Sequence, residues 1–313
     1  MLYMRIVAAL TAWLLLLPAV FAEDSVKPAE PVQKQGYEGF WDHSYLAYGK
    51  GYLLRWDDSG RGKETLYGPD GSQLYEVQVK PPERWNPFIY SVAVDSDGLA
   101  ALAYRRGILI LNPSGQIIRA IDTAAYRPSQ LCFAPDHSLW VYGENWSRPV
   151  RDYPVFRKYS PHDGQQLGAY VLRSQLPPKE DGFADSIAAP CIGCIRLHAS
   201  NDRIGARMNV DHAVLWVELD FNGNLLGQWK MERHHSPYAF TANNQVYAGL
   251  WEDGGRQYIE TDVFDKAKDT WDRVEGVPLT QPIGADHENL VYRMKTNPPI
   301  SYLGWFVPSR PAQ

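Results

Sequence analysis

The sequence has no large excess of charge, no segment of helical periodicity longer than two turns, and no long hydrophobic run after residue 22. Its 36 acidic and 31 basic residues give a net charge of −5, so no basic field is present to hold a nucleic-acid backbone. The missing apolar runs exclude a multi-span membrane protein. The 23 prolines would interrupt most helices.

The first 22 residues differ from the rest. Arg5 precedes an apolar run over residues 6–21, and Val20 and Ala22 stand three and one residues before Glu23. This pattern predicts a secretory signal peptide over residues 1–22, and hence an exported chain, periplasmic or extracellular, without an integral membrane domain after cleavage. The polar, proline-interrupted stretch 23–36 predicts a flexible leader. The folded domain is expected over residues 37–313.

What the sequence does contain is short apolar alternation, which is typical of β-strands. Two sets of polar turns divide these runs, rich in the Asp, Asn and Gly residues that tight strand connections require. The first set has six members, at residues 49–51, 95–98, 136–138, 201–203, 243–245 and 286–288. The second set has five members, at residues 69–71, 113–115, 162–164, 221–223 and 265–268.

Members of the second set recur at intervals of about 45 to 60 residues, close to the period of a four-stranded propeller blade. The chain is therefore expected to be all-β, a six-bladed β-propeller. Because the sixth sheet is one strand short, the N-terminus is expected to supply that strand from residues 37–41 and so remove the open edge.

One repeat is clear enough to compare with a known group. Asp95-Ser96-Asp97-Gly98 precedes one apolar strand, and Pro113-Ser114-Gly115 follows the next. This segment resembles a blade of the NHL-like and TolB-like six-bladed β-propeller superfamily. The resemblance concerns the fold, which hosts unrelated activities.

The order of strands places both turn sets on one face of the disc and the longer connections on the other. Long loops in a compact repeat are often functional, and arginine forks with flat aromatic rings suit carboxylates, sugars or peptides. The candidate ligand-binding residues on the loop-rich face are Arg84, Trp85, Arg106, Arg127, Glu144, Asn145, Trp146, Arg148, Arg151 and Trp251.

The chain has three cysteines, and the sequence leaves open which two form a disulfide. At least one pair is expected to be oxidised in an exported protein. Cys191 and Cys194 have thioredoxin-motif spacing, but the residues around them predict an inner strand rather than a helix start, which favours a structural disulfide. The pair is either Cys191–Cys194, or Cys132–Cys194 across neighbouring inner strands.

No complete catalytic group is recognisable. The Asp-His pairs at residues 136–137, 211–212 and 286–287 fit turns or strand ends, and Asp95-Ser96-Asp97-Gly98 lacks the later acidic residue of a calcium loop. We therefore expect a monomeric, non-catalytic binding protein without cofactor or metal, engaging a protein, peptide or glycan. The alternative is a metal-dependent lactonase or lyase with Glu144 and Asn145 at the central channel, and a third possibility is a scaffold in an envelope assembly.

Overall fold

A computed structural model describes residues 30–37, 44–57, 63–145, 152–177, 196–210, 213–232, 235–251, 258–280, 282–295 and 301–310. These residues form 24 strands and one turn of 3-10 helix, Arg173–Gln175. Within the same ranges there is no helix with the length and apolar character needed to cross a membrane.

The strands form six antiparallel sheets of four. The first two sheets comprise β2 (Ser44–Gly49), β3 (Tyr52–Asp57), β4 (Lys63–Tyr67) and β5 (Gln73–Gln78), then β6 (Ser91–Val94), β7 (Ala100–Tyr104), β8 (Gly107–Leu111) and β9 (Ile117–Asp122). The next two comprise β10 (Tyr126–Phe133), β11 (Leu139–Asn145), β12 (Pro154–Tyr159) and β13 (Gln166–Leu172), then β14 (Leu197–Ala199), β15 (Arg203–Val210), β16 (Ala213–Asp220) and β17 (Leu225–Glu232). The last two comprise β18 (His235–Phe240), β19 (Val246–Trp251), β20 (Tyr258–Asp265) and β21 (Thr270–Arg273), then β22 (Pro282–Asp286), β23 (Asn289–Lys295), β24 (Ser301–Phe306) and β1 (Gln33–Gly36).

The sheets are arranged in a closed ring. The first strand of each blade contacts the first strand of the next, from β2 through β6, β10, β14 and β18 to β22, and β22 in turn contacts β2. These six strands surround the central channel. The prediction of a six-bladed β-propeller is confirmed.

The N-terminus closes the last blade, but with a strand upstream of the predicted one. Gln33 pairs with Trp305 and Gly36 with Tyr302, so β1 is the fourth strand of the sixth sheet. The predicted donor, residues 37–41, was wrong, as was the assignment of residues 33–36 to a flexible leader. An outermost strand pairs through its backbone alone, so its side chains can be polar, as they are in residues 33–36. Tyr37, from the segment that was predicted to pair, is instead buried against Tyr67. Residues 1–29, with the predicted signal peptide, and residues 38–43 lie outside the described ranges.

The hydrophobic core lies between the blades. Each of six clusters of buried side chains joins two neighbouring sheets, and the cluster between the first two contains Leu54, Leu66, Leu102 and Leu109. Successive side chains of the middle strands point to opposite faces of the sheet. Because each blade has a neighbour on both faces, both sets of side chains are buried. Burial of a leucine side chain of this kind contributes roughly 1.5–3 kcal/mol.

The predicted turns are present and have the expected backbone geometry. Gly71, Gly115, Gly164 and Gly223 all have positive φ, between 77° and 86°, a conformation that favours glycine. In the first set, His137 and His287 also have positive φ, at 61° and 52°, so these two Asp-His sequences are turns as predicted. The third, at residues 211–212, lies outside the described part of the chain.

Cys132 is buried and free. The Cys132–Cys194 pairing was therefore wrong. The inner-strand segments 131–135 and 197–201 line the same cavity at matching positions, so the counterpart of Cys132 is His198 and not Cys194. Cys191 and Cys194 lie outside the described residues, and the pairing between them stays a prediction.

Candidate functional site

The two ends of the ring differ in character. Because each blade is an antiparallel meander, its first and third hairpin connections leave from one end, here called the turn face, and its second connection and the link to the next blade leave from the other, here called the loop face. The predicted binding residues that fall in the described ranges lie at strand ends and connections of the loop face.

Arg127 and Glu144 form an ion pair on the loop face. They stand opposite each other near the ends of β10 and β11, and the Arg127 guanidinium contacts the Glu144 carboxylate. Glu144 is buried and Arg127 is half-buried. Burial lowers the pKa of Arg127, and the positive charge of Arg105 lowers it further. The Glu144 carboxylate therefore stabilises the charged form of the Arg127 guanidinium that it contacts.

Two other predicted residues, Arg84 and Trp85, make contacts that are typical of surface and core side chains. The Arg84 guanidinium is exposed and lies 2.6 Å from an Asp122 carboxylate oxygen. Trp85 is 4% exposed and packs against Tyr104 in the core between the first two blades. The Trp85 ring therefore caps a blade and does not face a ligand.

Arg106 and Asn145 are half-buried at strand ends on the loop face. Asn145 pairs with Tyr126 at the end of β11. Trp251 ends β19 opposite Tyr258, but its side chain is outside the described part. Trp146, Arg148 and Arg151 lie outside the described ranges altogether, so their roles stay predictions.

Three arginines that the candidate set lacked gather around Tyr142 on the loop face. Arg173, Arg196 and Arg207 each lie near enough to affect the pKa of the Tyr142 phenol, which burial raises. Arg173 donates from Nη1 to the carbonyl oxygens of Leu176 (3.2 Å) and Pro177 (3.1 Å). Their convergence depends on the register of the third and fourth blades.

Arg196, which directly precedes β14, stands opposite Arg207 of β15. The Arg207 backbone N–H donates to the Arg196 carbonyl oxygen at 2.8 Å, which continues the register of Leu197 with Ala206. The Arg196 N–H donates to Gln130 Oε1 at 3.0 Å and so joins the fourth blade to the third. Burial, with Arg196 nearby, lowers the pKa of Arg207 to about 10, and burial also lowers the pKa of Arg196. Both remain charged at neutral pH.

A buried His-Asp pair lies in the fifth blade. His235, at the start of β18, has its Nε2 2.9 Å from Asp262 Oδ2, and its ring stacks on Trp271 at 4.3 Å. His235 Nδ1 is buried as well. Because neither ring nitrogen reaches the surface, the pair is suited to packing the blade and not to proton transfer with a bound substrate.

The turn face carries a cavity of about 190 Å³ at the end of the central channel. This volume is below the range of typical small-molecule sites. At its rim, Asp95, Asp97 and His137 bring potential ligand atoms within 4.8 Å of one another. Asp95 Oδ1 accepts hydrogen bonds from the N–H groups of Asp97 and Leu99, both 2.8 Å. Turn geometry accounts for the position of the Asp95 carboxylate, as the sequence predicted, and His137 Nδ1 of the next blade lies 3.3 Å from Asp95 Oδ2.

Comparison with known proteins identifies the fold alone. No protein-family model matches the sequence, and no curated protein matches it. A candidate exported protein from Bacteroides fragilis has a TM-score of 0.53 at 9% identity, covering 88% of this chain and 94% of that one. Virginiamycin B lyase from Staphylococcus aureus has a TM-score of 0.47 at 12% identity, over 88% and 98%. A protein of unknown function from Bacteroides caccae has a TM-score of 0.46 at 15% identity, over 82% and 80%.

Proposed function

We propose that this chain is an exported, non-catalytic binding propeller that engages a protein, peptide or glycan ligand through its loop face. The observation that carries this proposal is the position of Arg196 and Arg207, which are opposite residues at the loop-face end of the fourth blade. Guanidinium groups in a partly desolvated setting bind oxygen anions strongly and with defined geometry.

The alternative of a metal-dependent lactonase or lyase has less support. It requires carboxylates and amides from several blades to converge on the channel, and the nominated carboxylate, Glu144, contacts the Arg127 guanidinium. An oxygen neutralised by a guanidinium is a poor ligand for a cation. Turnover of a lactone panel by the purified chain would favour this alternative over the binding protein.

The binding function is tested by immobilising the full chain and probing it with a peptide library and a glycan array. Truncation of Trp146 together with Arg148 should weaken capture about tenfold or more, the usual effect of removing an aromatic and arginine anchor. Thermal unfolding of this double variant should match that of the wild type.

The matched control lies on the opposite face. Lys50 and His287 are exposed turn residues, and replacing both with alanine should leave capture unchanged. If capture survives the loop-face change and fails with the turn-face change, the ligand binds at the wrong end of the ring for this proposal. If neither array gives a signal, the binding function is rejected.

A further inference from the structure

We propose that Asp95, Asp97 and His137 bind a divalent transition-metal ion such as zinc on the turn face. Asp95 and Asp97 belong to the turn between β6 and β7, and His137 belongs to the turn between β10 and β11. The ion would therefore link the second and third blades. This inference goes beyond the proposed binding function, because the loop face lies at the other end of the ring, and it departs from the expectation of a chain without metal.

The donor atoms lie at distances that suit one ion. His137 Nδ1 is 3.3 Å from Asp95 Oδ2 and 3.5 Å from Asp97 Oδ2, and the three ligand atoms all lie within 4.8 Å of one another. Hydrogen bonds between charged groups are shorter, at about 2.7–2.9 Å. With metal–ligand bonds of about 2.0–2.2 Å, the ligands of a tetrahedral zinc site are roughly 3.3–3.6 Å apart. Both distances from His137 Nδ1 match that spacing.

The Asp95 carboxylate is buried and oriented towards the other two ligands. Asp95 is 3% exposed, and its Oδ1 accepts hydrogen bonds from the N–H groups of Asp97 and Leu99, both 2.8 Å. These two bonds fix the carboxylate with Oδ2 towards His137. Hydrogen bonds of this kind, to the oxygen that does not bind the ion, orient the carboxylate ligands of metal sites.

The two carboxylates need a positive partner. Within the described ranges, no lysine or arginine forms an ion pair with Asp95 or Asp97, and His137 is the one group at ion-pair distance from both. Two negative charges repel each other, and more strongly where one of them is removed from water. One imidazolium would offset a single carboxylate charge, whereas a divalent cation would offset both.

The junction between the fourth and fifth blades shows that contact between neighbouring turns does not require these groups. Asn244 occupies the place of His137 in the turn between β18 and β19, with φ of 60° against 61°. Its side chain contacts the Ser200 hydroxyl, which is neutral. The carboxylate of that junction, Asp202, has a cation in the chain, since Arg203 Nε lies 3.1 Å away. The set of two carboxylates and one imidazole therefore has a cause other than packing.

The donor set indicates the class of ion. One imidazole nitrogen with two carboxylate oxygens suits zinc and the neighbouring first-row divalent ions. Calcium takes six to eight oxygen ligands, and Asp95 Oδ1 already accepts two backbone hydrogen bonds. Asp97 is exposed and His137 is half-buried, so an ion has access from solvent and water would complete its coordination.

The test measures zinc binding by the full chain, produced without an affinity tag and freed of metal with a chelator that is then removed. Titration calorimetry with zinc chloride should show binding, and zinc should raise the unfolding temperature of the wild type by a few degrees. His137→Asn should weaken the Kd at least about tenfold and abolish the rise in unfolding temperature. Asparagine tolerates the positive φ of this position, so the turn is kept.

His287→Asn is the matched control. His287 also has positive φ and follows an aspartate, Asp286, in a turn of the sixth blade, with its Nε2 3.9 Å from Asp286 Oδ1. This variant should bind zinc with the Kd of the wild type. Equal Kd values for the wild type and His137→Asn overturn the site, as does a wild type that binds no zinc.

Asp97→Asn separates a metal site from a simple contact between imidazole and carboxylates. The substitution keeps the backbone N–H that donates to Asp95, and it should weaken zinc binding about tenfold. In chelator, Asp97→Asn should unfold no lower than the wild type, because a repulsion between carboxylates is relieved. A lower unfolding temperature in chelator with unchanged zinc binding would show that the imidazole alone neutralises the pair, and overturns the proposal.

A titration with calcium chloride tests the class of ion. The wild type should bind calcium at least about tenfold more weakly than zinc, because the imidazole nitrogen is a poor ligand for calcium. Equal Kd values for calcium and zinc would indicate a site made of oxygen atoms alone, and overturn the assignment of a transition-metal ion.

Discussion

Single residues show how this protein buries charge where no ligand is needed. Glu218 in β16 is fully buried, accepts a hydrogen bond from Trp216 Nε1 at 2.8 Å, and pairs with Arg203 at 3.3 Å. The Lys266 ammonium contacts the same carboxylate from the fifth blade. The group joins the fourth and fifth blades through paired charges, because Glu218 lies in β16 and Lys266 follows β20.

Replacement of Glu218 with glutamine should lower the free energy of unfolding by about 3 kcal/mol, because Lys266 and Arg203 lose their counter-charge in a buried setting. Urea denaturation measures the loss. Glu76→Gln is the control, since Glu76 pairs with Lys63 and Arg55 near the surface, and should cost less than about 1 kcal/mol. Equal losses would mean that the buried network contributes no more than a surface pair.

Cys132 gives a second prediction at this scale. Burial raises the pKa of its thiol, so the native chain should leave it unmodified by a thiol reagent, and unfolding should expose it. In denaturant without reductant, one reactive thiol per chain is expected if Cys191 and Cys194 are bonded, and three if they are not. Modification of Cys132 in the native chain would contradict its buried position.

At the scale of turns and strands, the geometry of the tight turns was predictable because it depends on residues within the turn itself. The Asp220 carboxylate accepts from the N–H groups of Asn222 (2.9 Å) and Asn224 (2.8 Å), and such turns follow from residue type alone. The closing strand was misplaced because pairing at a sheet edge leaves no apolar signature. The arginine cluster was missed because it depends on the register of separate blades.

The turns should make stability depend on pH. Hydrogen bonds from Asn224 lower the pKa of Asp220, so its contribution is present above the unfolded-state pKa of about 4 and is lost as the pH falls through the folded-state value. Urea midpoints at pH 7 and pH 3 should therefore differ more for the wild type than for Asp220→Asn, whose amide keeps the turn. A larger pH dependence in the variant would contradict this sign.

The closing strand β1 gives a prediction about one element. Removing residues 1–36 leaves β24 unpaired at its outer edge, at a cost of roughly 0.5–1.5 kcal/mol for each ladder hydrogen bond lost, and exposes an edge that can recruit another chain. Thermal unfolding and size-exclusion chromatography should show a less stable, associating protein. Removing residues 1–29 instead keeps β1 and is the control; identical behaviour of the two truncations would count against the role of β1.

At the scale of the whole molecule, the period of the turns was enough to predict six blades, because each sheet must bury both faces against neighbours. The same reasoning predicted which connections share a face. It could not rank the residues on that face: Trp85 lies in the core and Arg84 in a surface ion pair. Exposure and partnership arise from contacts between distant segments, which a single sequence does not reveal.

The pairing of Gly36 with Tyr302 places the two ends of the folded chain side by side. A circularly permuted version, with a short linker joining residue 310 to residue 30 and new termini cut at an exposed turn, would retain every sheet. The closed ring of blades therefore does not depend on where along it the chain termini lie. During synthesis β1 emerges before every other strand of the propeller, and the sheet that it completes is the last to be finished.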